Sequence, residues 1–250
     1  MSLKLEFSKA ADYDRINALF DPAVKQQIDP HGFVVKRTEA AFRKAAADGS
    51  ACILSDDADD IKTITIAYRT NVDPAAPAGH PHEYTEIGTG LSRLPGYNSA
   101  QLIMAALAIH EWWAAAPTKA LINEIDNGNA PSVKTYRDTL KWEELKDQKE
   151  TELLFAVTYR NVAQDLGAGP GMPLPTAKRT NETYYFFTDA ALAVHVRILL
   201  EFMKQGGLLN KKTGHAIPVD FSALDHVGLT QPRLDAMSKG VIDRLKLAAI

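Results

Sequence analysis

The chain has 250 residues, with 28 Lys and Arg against 31 Asp and Glu, a formal net charge of −3. That balance excludes a protein that holds nucleic acid or an anionic membrane by bulk charge, though it leaves room for a local basic site. A single cysteine, Cys52, excludes an intramolecular disulfide and a zinc site built on several thiolates. The longest apolar runs fall short of the roughly 20 residues that span a bilayer. The N-terminal MSLKLEFSKAADYDR lacks the apolar segment of a signal peptide. A cytoplasmic protein without a membrane partner is the expectation.

Residues 3–8 alternate apolar and polar with period two, which predicts a strand. Asp12 and Asp14 open a helix carrying Ile16, Leu19 and Phe20, and Pro22 and Pro30 punctuate the stretch after it. A second helix starts at Thr38, a capping residue, and stops at Gly49. SACILSDD and KTITIAYRT read as strands around the turn 57–60, and residues 71–82 as a Pro-rich loop. EYTEIGTGLSR is a strand, RLPGYNSA a turn, and AQLIMAALAIHEWWAAA a long apolar helix ending near Pro117. KALINEID is a strand, GNAPSVKTYRDTLKW opens a helix with Pro131 in its first turn, and two strands come next, reaching about residue 160. The order predicts an α+β fold: a mixed, mostly antiparallel sheet flanked by helices. Residues 161–183 are rich in Gly and Pro and read as a linker. Residues 184–250 read as mostly helical, with Gly206-Gly207 stopping the first helix. The expected organisation is therefore a domain over 1–160, a linker, and a helical region over 184–250.

The segment that bears chemistry is the strand, turn and helix of residues 83–116. First-turn amides of a helix have no intrahelical acceptor, and the helix dipole is positive there, so the turn around Gly96 is suited to a pyrophosphate. Arg93 precedes it by three residues, and Tyr97, Asn98 and Ser99 line it. A plain connection has the same outline, so the turn acquires meaning only from the wider pattern.

That pattern resembles the GNAT superfamily of N-acetyltransferases, which binds acetyl-CoA through a Q/R-x-x-G-x-G/A loop between its fourth strand and third helix. Here the loop is Arg93-Leu94-Pro95-Gly96-Tyr97-Asn98, with Asn98 in place of the second small residue. The family's later Asn-x-x-Ala/Ser segment, leading to a tyrosine, is matched by Asn129-Ala130-Pro131-Ser132 and Tyr136. The end, Leu140-Lys141-Trp142, carries one extra residue and lacks the family's glycine. The resemblance covers about residues 3–160. It implies acetyl-CoA as co-substrate, held by the amides of Gly96, Tyr97, Asn98, Ser99 and Ala100, by the strand around Leu91 and Arg93 where two parallel strands part, and by Asn129 from the far side. It implies Tyr136 as the acid that protonates the leaving thiolate, and a carboxylate of the fourth strand as base. Glu86 is preferred over Glu83 because it is nearer the parting strands. A glutamate on a strand is also, more simply, a solvated residue, and a tyrosine on a helix a packing group. The expected reaction is direct attack by a primary amine of a small molecule or protein in a ternary complex.

Other features carry less. His80, His82 and Glu83 stand in a Pro-rich loop, with too few ligands for a metal site. Cys52 reads as a small buried hydrophobe rather than an acyl carrier. Leu224 to Met237 has helix-turn-helix spacing around Gly228, with Gln231, Arg233 and Asp235 at the start of the second helix. A DNA-binding regulator is one alternative, disfavoured by the nearly even charge, and a silent acyl-CoA-binding protein with the same fold is another. The apolar helix 189–203 needs a partner, which is either the first domain or a second copy in a homodimer.

Overall fold

The computed structural model describes residues 1–34, 37–71, 83–114, 119–144 and 182–247. The loop with His80 and His82, the strand expected over 151–160 and most of the linker lie outside them. Strand β1 (Leu3–Phe7) leads to helices α1 (Tyr13–Ala18), α2 (Pro22–Ile28) and α3 (Glu39–Ala47). Strands β2 (Ala51–Asp56), β3 (Ile61–Asn71) and β4 (Glu83–Ser92) come next, then the 16-residue helix α4 (Ser99–Ala114) and β5 (Lys119–Asp126). Helix α5 (Ala130–Lys134) runs into a π-helical turn (Thr135–Thr139), succeeded by β6 (Glu143–Glu144). The remainder is β7 (Glu182–Phe186), α6 (Asp189–Gln205), β8 (Gly207–Leu209), β9 (Ala216–Asp220), α7 (Ser222–His226) and α8 (Gln231–Leu247).

Among the described residues, nine strands form one sheet in the order β6-β7-β5-β4-β3-β2-β1-β9-β8. Pairing is antiparallel except at β4–β5 and β1–β9, so the expected mixed, mostly antiparallel sheet is what the chain builds. Alternation along the strands sorts the side chains onto two faces. Leu5, Cys52, Leu54 and Ile87 pack under α4 and α6, while Ile53, Ile64 and Ile66 pack under α1 and α3. Cys52 is fully buried, and that burial pushes its thiol well above the usual range, as suits a core residue rather than a nucleophile.

Two expectations change. The segment after Pro22 is a helix, because Asp21 accepts the Ala23 amide and Pro22 occupies the first turn, where a proline starts a helix rather than stopping one. Residues 182–247 hold three strands besides the helices expected there. β7 lies between β5 and β6, β9 extends the sheet beside β1, and α6 shares one core with α4. The segment with helix-turn-helix spacing is a hairpin whose Leu224, Leu229 and Leu234 are buried in that same core. Arg233, a base-reading candidate only under the disfavoured alternative, donates back to the Gly228 carbonyl of its own turn at 3.0 Å.

Candidate active site

β4 and β5 run side by side from Glu83↔Lys119 to Glu86↔Ile122, and there the ladder ends. β4 continues for six more residues against β3 alone, while β5 turns its other edge to β7. Two parallel strands therefore part at Glu86 and Ile122, as the resemblance implies. Between Ile64 and Ile66 the β3–β4 register shifts, so β4 carries an extra residue there. Thr89 sits in this bulge at φ 38°, a left-handed conformation that costs a β-branched residue energy, and its hydroxyl is tied to the Tyr68 hydroxyl at 2.7 Å.

A cavity of about 780 Å³ fills the gap, within the range of small-molecule sites. Its walls come from the His31–Val34 loop, the β4 bulge, the start of α4, β5, and the π-helical turn. A second cavity of about 340 Å³ shares His31, Val34, Gly90 and Asn129 and opens toward α2.

Tyr136 lines the larger cavity on the π-helical turn, a local widening often used to place a functional side chain. The Leu140 amide reaches back five residues to the Thr135 carbonyl at 2.8 Å, and this absorbs the extra residue seen in the sequence. Lys141, where the motif's glycine is missing, adopts φ 58° all the same. The Tyr136 hydroxyl accepts from Asn123 Nδ2 at 2.9 Å and reaches Met104 Sδ at 3.5 Å. Burial, and next the negative charge of Glu86, push the phenol far above its usual range, with the Asn123 hydrogen bond opposing them.

Glu86 also lines the cavity and is buried, but both its oxygens accept from Arg37 Nη2, at 2.8 and 3.0 Å. Arg37 in turn lies over the Tyr68 ring at 4.8 Å. Asn129 lines both cavities, and its Oδ1 accepts the Ser132 amide at 3.3 Å to start α5.

The loop before α4 has the expected backbone but different side-chain partners. Gly96 has φ 84° and Asn98 φ 56°, so Asn98 takes the conformation a second glycine would supply. Arg93 is turned outward to Asp60, at 2.9 and 3.1 Å, because the acidic β2–β3 turn stands beside the end of β4. The hydroxyl of Ser99 is 2.9 Å from both Thr63 Oγ1 and Ser92 Oγ, which pins the α4 N-terminus to β3 and β4. The Tyr97 hydroxyl meets His215 Nδ1 at 2.7 Å in the β8–β9 turn. Leu91 is buried against the α1–α3 face and borders the smaller cavity. Ala100 lines the larger one. Tyr136, Glu86, Ala100 and Asn129 thus surround one space, whereas the side chains of Arg93, Tyr97 and Ser99 are engaged elsewhere.

Sequence reasoning missed Arg37, Thr89 and Asn123. An asparagine in the apolar row Leu121-Asn123-Ile125 was the one visible signal, since that face of the strand is buried. Among the described residues no group of three or more His, Cys, Asp or Glu is arranged to hold a metal, and no helix is long and apolar enough to cross a membrane.

No protein-family model matches the chain, and no curated protein matches it. Solved structures similar to it include the diaminobutyrate acetyltransferase of Paenibacillus lautus, in complex with L-2,4-diaminobutyric acid and coenzyme A. That chain is 11% identical, with TM-score 0.43, and the match covers 74% of this chain and 93% of the other. An N-acetyltransferase from Staphylococcus aureus Mu50 is 9% identical with TM-score 0.41, over 75% and 97% of the two chains. The N-acetylglutamate synthase of Neisseria gonorrhoeae is 11% identical with TM-score 0.45, over 75% of this chain and 36% of that one. The sheet order and the parted strands leave a cavity in the β4–β5 gap, the arrangement that the resemblance to the GNAT superfamily implies.

Proposed function

We propose that the chain is an N-acetyltransferase that moves an acetyl group from acetyl-CoA to a primary amine by direct attack in a ternary complex. The observation that carries this reading is the cavity between the parted β4 and β5, walled by Tyr136 on one side and Glu86 on another. The residues fit the co-substrate. The free edge of β4 can pair with an extended amide-bearing arm, and the Ser99 and Ala100 amides, which open α4 ahead of the Gln101 amide bonded to the Asn98 carbonyl, suit its pyrophosphate. Acetyl-CoA supplies an activated thioester.

The chain's residues supply the proton movements. The amine nitrogen bonds to the acetyl carbon and the carbon–sulfur bond breaks. Tyr136 gives its hydroxyl proton to the departing sulfur, and burial ensures that it holds that proton until then. Glu86 takes the amine proton through an intervening water. Each of its oxygens already accepts from Arg37 and retains a lone pair for that water.

The first experiment is calorimetric titration with acetyl-CoA and with CoA, followed by an assay of thiol release against a panel of primary amines. Micromolar binding and amine-dependent release are expected. Tyr136→Phe should lower kcat by roughly a hundredfold with little change in CoA affinity. Wild-type turnover in that variant would remove Tyr136 as the acid. The second reading is a silent acyl-CoA-binding protein, favoured by the engagement of both Glu86 oxygens with Arg37. Binding without thiol release on any amine would select it. Absence of binding would reduce the Arg93–Ala100 loop to a turn.

A further inference from the structure

Asn123 stands one residue beyond Ile122, the last residue of β5 to pair with β4. Its side chain is buried at the fork, where Nδ2 donates to the Ile87 carbonyl across the gap and to the Tyr136 hydroxyl at 2.9 Å. Both amide hydrogens are thereby used. Asn123 Oδ1 has no hydrogen-bond partner among the described residues. Leu121 and Ile125, its neighbours on the same face of the strand, are buried in the apolar core. The amide leaves one buried oxygen unsatisfied, while its nitrogen serves the Ile87 carbonyl and the phenol on the wall of the larger cavity. A polar group so placed calls for a reason.

The phenol supplies one. Because the Tyr136 oxygen accepts from Asn123, its hydrogen must be offered elsewhere. In the free protein that acceptor is Met104 Sδ at 3.5 Å, a thioether and a weak acceptor that a thiolate can displace. We infer that Asn123 is a positioning residue for Tyr136, orienting the phenol so that its proton faces the departing sulfur and stabilising the phenolate left behind. The inference rests on the acetyltransferase reading and adds to it a group outside the motifs that suggested it.

The test is Asn123→Leu, read by thiol release from acetyl-CoA with hydroxylamine as the probe acceptor. The expected result is a loss of tenfold or more in kcat with unchanged acetyl-CoA affinity by calorimetry, alongside a lower urea midpoint because the Ile87 carbonyl loses its donor. The loss should vanish in a Tyr136→Phe background. A purely structural role would lower the rate to the same extent in that background. Wild-type turnover in Asn123→Leu would overturn the inference, and so would an equal loss without Tyr136. Should the leucine variant not fold, Asn123→Asp keeps the shape without the donors and is expected to show the same loss.

If Tyr136→Phe itself turns over normally, or hydroxylamine is not accepted, the ring-carbon NMR signal of labelled Tyr136 decides the geometry. It should move on Asn123→Leu more than the signal of any other tyrosine, and a stationary signal would overturn the inference. Failure of the acid role and failure of the positioning role are thus read separately.

Discussion

Two residues, Asn98 and Lys141, hold left-handed backbone at positions where the motif they resemble has glycine or a small residue. Asparagine tolerates that conformation better than any long side chain, so Asn98 preserves the shape of the loop. Lysine has no such tolerance. Lys141→Gly is therefore expected to stabilise the protein by about 0.5–1 kcal/mol, the relief of strain exceeding the entropy that glycine gains on unfolding. Asn98→Gly should change stability by only a few tenths of a kcal/mol and leave CoA binding unaltered. Urea midpoints and calorimetry check both. The backbone around Gly96 was legible in the sequence, as were Tyr136 and Asn129 at the cavity. The partners of Arg93 and Tyr97 were not. Asp60 and His215 are 33 and 118 residues away along the chain, and no local pattern announces such contacts.

At the scale of elements, local signals sufficed wherever an element carried its own punctuation. Thr38 caps α3 by accepting the Ala41 amide, and Gly206 at φ 68° ends α6, both as the sequence suggested. The strands β1 to β5 were legible, β1 and β3 by alternation and β2 as a short apolar run. β7, β8 and β9 were not: they are short, β9 contains Pro218, and β1–β9 and β5–β7 join residues far apart in sequence. The join between α6 and β8 is also sharp. A Cβ on Gly207 would collide with the Ile217 carbonyl oxygen of β9. Gly207→Ala is thus expected to cost about 2–3 kcal/mol or more, through steric overlap with a paired strand. The loss would appear as a lower urea midpoint, with faster amide exchange in β8 and β9 than in β2 and β3.

Over the whole molecule, the late residues are woven into the early sheet, and His195 reports on that junction. It is fully buried on α6, where Nε2 accepts from Trp142 Nε1 at 3.2 Å and Nδ1 lies 2.7 Å from the Ala191 carbonyl. Trp142 stands edge-on to Tyr136, with ring centroids 5.2 Å apart. Burial lowers the His195 pKa from 6.5 to about 4. Protonating Nε2 would also set two donors against each other. The unfolded chain takes up this proton below pH 6.5 while the folded one refuses it until about pH 4. The contribution is therefore intact above pH 6.5 and is lost as pH falls toward 4, by about 3 kcal/mol in all. Denaturant melts across that interval should show the decline, and His195→Gln should flatten it.

The parallel pairing of β1 with β9 has a bearing on biosynthesis. Leu3 is placed opposite Val219, so this side of the sheet must stay open until more than two hundred further residues have been made. At roughly 5–20 residues per second that is a wait of about 10–40 seconds. Contacts so distant in sequence are slow to form. The antiparallel strands β2, β3 and β4 can assemble on the ribosome in the meantime, leaving one flank of β1 exposed as an unpaired edge, the surface on which a nascent chain is most open to capture by a chaperone or by a neighbouring copy.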